Sequence, residues 1–171
     1  MRHIISIYVE NKFGVLARIA GLFSGRGYNI ESLSVGVTTD ENYSVITVVT
    51  NGDERVVEQI VKQLRKLVNV LKVRDLTFLD HVEREMIFIK VKANSKNRTD
   101  IFSIVNTFRA KIISLNKESL IVEITGVKDK NEAFIEVLKP FGIIEVVRTG
   151  GIAMNRGPLS TWEISKKGGE N

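Results

Sequence analysis

The sequence predicts an α+β chain built from two tandem βαββαβ units. The hydrophobic pattern runs strand, helix, hairpin, helix, strand and then does so again. A length of 171 residues accommodates two units of roughly 75–80 residues, each large enough to bury a core of its own. The chain also has no cysteine, which excludes a disulfide framework, a thiolate nucleophile and every thiolate metal site.

The first unit reads as follows. Residues 4–9, IISIYV, alternate as a half-buried strand does. Val15, Leu16, Ile19, Ala20, Leu22 and Phe23 recur at helical spacing, and the following GRGY stops that helix. NIESLSVGVT puts Leu33, Val35 and Val37 on one face at period two, and NYSVITVVT answers it across the turn TDEN, forming a hairpin. Asp53 is the expected N-cap of a second helix with apolar residues at 56, 57, 60, 61, 64 and 67. VNVLKVRDLTFL closes the unit as a strand, and DHVERE makes a short join.

The second unit repeats the order with little residue identity. EREMIFIKVKA is a strand, and TDIFSIVNTFRA is a helix for which Thr99 is a candidate cap. KIISL and SLIVEITG pair through NKE, DKNEAFIEVLKPF is a helix halted at Pro140, and GIIEVVRTG is the last strand. Each half fits a ferredoxin-like fold, a four-stranded antiparallel sheet with two helices on one face. The other sheet face is left open or is covered by something else. The divisions expected are 1–79, 80–157 and a tail over 158–171 that is mobile at its end.

Charge and chemistry narrow the function. Residues 1–80 hold ten basic against nine acidic side chains and residues 81–171 hold fifteen against eleven, for a net +5. The bases alternate with acids along helical stretches such as DERVVEQIVKQLRKL, a solvated face, with an anionic protein partner as the lesser reading. No basic patch interleaved with aromatics is visible, so nucleic acid is not expected as a partner. No run approaches the roughly 20 apolar residues of a membrane span, and the N-terminus lacks the features of a signal peptide, so a cytoplasmic location is expected. His3 and His81 read as exposed turn and linker residues, and no metal site is expected. There is no nucleophile elbow, no Walker loop, and GRGY follows a helix and lacks the third glycine of a dinucleotide fingerprint. No catalytic residue is assigned.

One stretch asks for a ligand, ENKFGVLARIAGLFSGRGYNI. A strand ending at Asn11 and a helix entered through Gly14 leave backbone N–H groups that suit a carboxylate. Asn11 carries both donor and acceptor, Gly14 lets a small ligand approach the backbone, and Val9, Val15 and Leu16 offer an apolar wall. Those are the needs of a small apolar amino acid. The competing reading is that Asn11 caps the helix and Gly14 permits the turn. The matching stretch of the second half, VKANSKNRTDIFSIVNTFRAKII, has no glycine at its helix entrance, so the topology itself does not require one.

The spacing Asn11-x-x-Gly14-x-Leu16, with GLFSGRGYNIESLSV after it, resembles the N-terminal ACT domain of acetolactate synthase (acetohydroxyacid synthase) regulatory small subunits. The likeness runs on through GDERVVEQIVKQLRKLVNVLKV, HVEREMIFIKV and RTGGIAMNRG, and leaves out only PLSTWEISKKGGEN. The resemblance implies an ACT domain followed by an ACT-like domain, and a non-catalytic subunit. That subunit binds a separate catalytic (large) subunit, raises its activity and confers feedback inhibition by valine or another branched-chain amino acid. It further implies side-by-side pairing of ACT domains in a homodimer. The effector would lie between them, with Asn11 and Gly14 holding its charged ends beside Val15 and Leu16, and the partner copy supplying Asn29 and Ile30. Thiamine diphosphate, magnesium and flavin (FAD) would belong to the catalytic subunit, and this chain would hold no cofactor. The alternative is an ACT-type, amino-acid-responsive gene regulator.

Overall fold

β1 (Arg2–Glu10) is the centre of the first sheet because its residues 5, 7 and 9 are apolar and can be buried in register against two neighbours. It pairs antiparallel with β3 (Tyr43–Asn51) on one side and β4 (Val70–Asp75) on the other, and β2 (Ile30–Val37) pairs with β3 at the sheet's end. The order is β2-β3-β1-β4. Helices α1 (Val15–Ser24) and α2 (Glu54–Leu64) bury Val15, Ile19 and Phe23, and Val57, Ile60 and Leu64, against Ile5, Ile7, Ile46, Val48 and Val73. Deleting one of the larger of these buried side chains costs about 2–5 kcal/mol. Asp53 caps α2 as expected, accepting the Arg55 N–H at 3.2 Å. This is a computed structural model, and it describes residues 1–163.

The second sheet contains β5 (His81–Lys92), β6 (Lys111–Leu115), β7 (Ser119–Gly126) and β8 (Ile143–Arg148) in the order β6-β7-β5-β8, and a fifth short strand pairs with β5 off this path. Helices α3 (Arg98–Thr107) and α4 (Lys128–Leu138) close its core around Ile87, Ile89, Ile101, Phe134 and Leu138. A 3-10 turn over Lys139–Phe141 follows α4, with Pro140 ending the α-helical ladder. Both halves are therefore βαββαβ, α+β units, as the hydrophobic pattern predicts.

Five details differ from the sequence reading. The N-cap of α3 is Asn97, two residues before Thr99. DHVERE is largely strand, because β5 already starts at His81 and the true join is 76–80. His3 is fully buried where an exposed histidine was expected. β1 begins two residues earlier than the apolar run, so His3 pairs with Thr50 and shares the parity of Ile5 and Ile7. Its Nδ1 lies 3.5 Å from Asp75 Oδ2, and its ring meets Phe78 edge-on at 6.3 Å. His81, likewise read as exposed, is half-buried, with Nδ1 2.7 Å from the Leu79 carbonyl.

The fifth difference is a further strand, β9 (Ile152–Asn155), and where it goes. The chain forms two compact units, Met1–Val82 together with the described residues from Gly151 on, and Glu83–Gly150. The closing segment thus packs with the first unit, while its strand β9 pairs with β5. There it lies on the sheet face opposite the helices. The Gly151 N–H donates to Ser32 Oγ at 2.9 Å, Ala153 packs against Ile4, Val49 and Leu76, and Trp162 stacks on Tyr8 at 5.3 Å. Of the two possibilities for that face, the structure realises a covered one. The expectation of a mobile tail end falls on residues 164–171, outside those described.

Candidate functional site

Asn11 follows the last residue of β1 and is tied by its backbone to the β2–β3 turn, its N–H donating to the Asn42 carbonyl at 2.7 Å. Its side-chain Nδ2 donates to the Glu41 carbonyl at 2.9 Å. The amide is therefore oriented by the turn and does not cap α1, whose N-cap position is Gly14 with no side-chain bond. That removes the capping explanation for Asn11.

Gly14 adopts φ +81°, ψ −6°, the left-handed region that favours glycine. A structural demand for glycine is therefore real at this turn. The corresponding N-cap of α3, Asn97, sits at φ −110° and needs none. A Cβ placed on Gly14 would meet nothing within 4 Å, so the space above this backbone is open to a ligand. Val15 is buried beneath it, and Leu16 is 41% exposed. Phe13, at the tip of the turn, is fully exposed.

Polar residues that the sequence reading passed over organise the base of this turn. Asn69, just before β4, donates through Nδ2 to Glu10 Oε2 at 2.5 Å and accepts from Arg18 Nη1 of α1 at 3.0 Å. Lys12 Nζ lies 3.0 Å from the same Glu10 oxygen. The Asn69 amide, and after it Lys12, hold the Glu10 carboxyl below the usual carboxylate range. The signal that could have found Glu41 and Asn42 was register. Pairing Glu10 with Tyr43 brings the TDEN turn beside the end of β1.

Asn29 and Ile30 lie elsewhere. Asn29 is exposed, and its carbonyl accepts from Thr50 Oγ1 at 2.7 Å. Ile30 is partly buried against the first core. Ile30 pairs with Thr50, whereas Val37, at the other end of β2, pairs with Ser44, itself opposite Val9. Six residues of strand separate these positions, about 20 Å. Within one chain the structure gathers Asn11, Gly14, Val15 and Leu16 at one end of the sheet and leaves Asn29 and Ile30 at the other. Among the described residues no group of three His, Asp or Glu side chains is arranged to hold a metal ion, and no helix is long and apolar enough to cross a membrane.

With that geometry in hand, the comparisons with known proteins bear on the whole chain. Residues 5–72 match the family model described as an AHAS small subunit-like ACT domain, and residues 84–157 match the model for the small subunit of acetolactate synthase. A probable acetolactate synthase small subunit of Archaeoglobus fulgidus is 49% identical over 157 residues, covering 92% of this chain and 98% of that relative. The acetolactate synthase small subunit of Aquifex aeolicus is 48% identical over 171 residues, covering 99% and 86%. The crystal structure of the acetolactate synthase small subunit from Thermotoga maritima superposes with a TM-score of 0.85 at 42% identity, covering 93% of this chain and 99% of that one.

Proposed function

The chain belongs to the acetolactate synthase small-subunit family, and from that premise we propose that it senses a branched-chain amino acid and transmits its level to a catalytic subunit. The effector, valine or its leucine and isoleucine relatives, binds between the ACT domains of two copies. Binding lowers the activity that the small subunit otherwise promotes. Thiamine diphosphate, magnesium and flavin are assigned to the catalytic subunit, which alone carries out turnover.

One observation supports a shared site above others: the two halves of the candidate site sit at opposite ends of β2, a strand at the end of its sheet. A two-fold axis beside such a strand runs it antiparallel to its copy. The Val37 end of one chain, close to Asn11 and Gly14, then faces the Ile30 end of the other. Val35 and Val37 are 48% and 64% exposed on this strand and provide apolar surface for such a contact.

In this site the effector's carboxylate meets the N–H groups at the start of α1, where the helix dipole favours negative charge. The Asn11 amide, with one donor engaged by Glu41, presents its oxygen to the ammonium group. Leu16 and the partner's Ile30 contact the hydrocarbon. Because one methylene is worth about 1–3 kcal/mol in an apolar pocket, preference among the three effectors is expected to be modest.

Calorimetry with valine tests this. Asn11→Ala is expected to weaken binding about tenfold or more, the cost of one charge-assisted hydrogen bond. Gly14→Asp, a residue type that tolerates positive φ better than most, places a carboxylate against the effector's own and is expected to abolish binding. Unchanged affinity in both folded variants would remove the site.

A further inference from the structure

Between the C-terminal end of α1 and the outer side of α2 lies an open cavity of about 550 Å³, lined by Arg26, Gln59, Lys62, Gln63, Arg65 and Lys66. Four of these six residues are cations and none is a carboxylate. Along α2 the acids come first, Asp53 at the N-cap with Glu54 and Glu58 in the first half, whereas Lys62, Arg65 and Lys66 gather at its end and just beyond. Gln59, Lys62, Gln63 and Lys66 follow one another at i, i+3, i+4 and i+7, a single stripe. Arg26 comes from the α1–β2 turn, some 30 residues earlier in the chain, and completes the opposite wall.

Among the described residues, little neutralises this charge. Lys62 Nζ is 3.9 Å from Glu58, and both side chains are about two-thirds exposed, the geometry of a weak surface pair. Arg65 donates to the Val73 carbonyl at 3.4 Å, which holds the guanidinium in place without cancelling it. A favourable contact with the carboxyl end of α2 accounts for one or two cations near residues 62–66. It does not account for Arg26, which belongs to a different element.

We propose that this cavity binds a small polyanion carrying two or more phosphate groups, at a site separate from the effector site. Its volume lies within the range of about 300–1,000 Å³ found for small-molecule sites. Two guanidinium groups offer the planar forks that match phosphate oxygens in pairs, and two ammonium groups add point charge. Gln59 and Gln63 supply neutral amide donors one turn apart. A monovalent anion would leave most of this charge uncompensated, whereas a diphosphate matches it.

The test is titration of the full chain with inorganic pyrophosphate at low salt, followed by calorimetry and by the side-chain amide resonances of Gln59 and Gln63. Saturable binding that shifts both amides is expected. Orthophosphate should bind about tenfold more weakly, as should pyrophosphate to the folded Lys62→Gln/Lys66→Gln variant, the effect of losing one or two charge-assisted contacts. Lys96→Gln, in the second unit, should bind as the parent does. Absence of saturation, equal loss in the Lys96 variant, or unchanged affinity in the double variant would overturn the proposal. So would tighter binding of a hexaglutamate peptide than of pyrophosphate, which would make the cavity a docking point for an acidic protein segment.

Discussion

Glu10 shows how one side chain fastens three elements. It ends β1, accepts from Asn69 before β4, and through Asn69 is linked to Arg18 on α1, with Lys12 closing the group. Because hydrogen bonding holds its folded carboxyl below the usual range, its contribution to stability has a definite sign. The stabilisation is fully present above the unfolded carboxylate range and is lost as pH falls through the lower folded value. Glu10→Gln is therefore expected to lose less stability on acidification than the parent, with the difference appearing only below the ordinary carboxylate range. Urea denaturation at a series of pH values reads this directly. Parallel acid limbs in the two proteins would show that Glu10 is not a linked group. Asn11, one residue later, was legible as a candidate because an amide beside a glycine-entered helix is chemically suggestive. That Glu41 and Asn42 orient it was not legible, since the contact crosses some 30 residues and depends on strand register.

At the scale of elements, hydrophobic period located every α-helix and eight of the nine strands among the described residues, because each buries one apolar face at its own repeat. What it missed has one physical cause. β9 has only four residues, Ile152–Asn155, and its alternation leaves the large apolar Ile152 and Met154 exposed while Ala153 and Asn155 are half-buried, so hydrophobic period carries no strand signal there. His3 escaped for a related reason: it extends a central strand past the apolar run, and a histidine carries no hydrophobic signal. The closing segment's hold on the first unit rests partly on Trp162, which stacks on Tyr8 at 5.3 Å while Tyr8 stacks on Tyr43 at 5.3 Å. Lys72 Nζ also donates to the Trp162 carbonyl at 3.0 Å, a bond that survives side-chain truncation. Trp162→Ala thus removes the ring contacts alone. An aromatic pair is worth about 0.5–1.5 kcal/mol beyond burial, and about 1–2 kcal/mol in total corresponds to a fall in Tm of about 2–8 °C at this size. Thermal unfolding followed by tyrosine fluorescence measures it. An unchanged Tm would mean that the Trp162 ring contacts add nothing to the first unit.

At the scale of the whole molecule, the proposed effector site has a property that no single chain can show. If each site takes Asn11 from one copy and Asn29 from the other, a dimer has two sites, and each variant homodimer damages both. Asn11→Ala and Asn29→Ala proteins should therefore each bind valine weakly. Mixing them, with unfolding and refolding to exchange chains, gives heterodimers with a different arithmetic. One site then joins the altered Asn11 to the altered Asn29, while the other joins the intact Asn11 of the second chain to the intact Asn29 of the first. About half the refolded dimers are mixed if pairing is random, so roughly one site in four regains full affinity. Calorimetry on the mixture should show a tight class of sites absent from both parents. A site assembled within one chain predicts the opposite, since each chain would keep its own lesion and mixing would restore nothing. The roughly 20 Å of β2 between the two ends of the sheet is the reason to expect rescue.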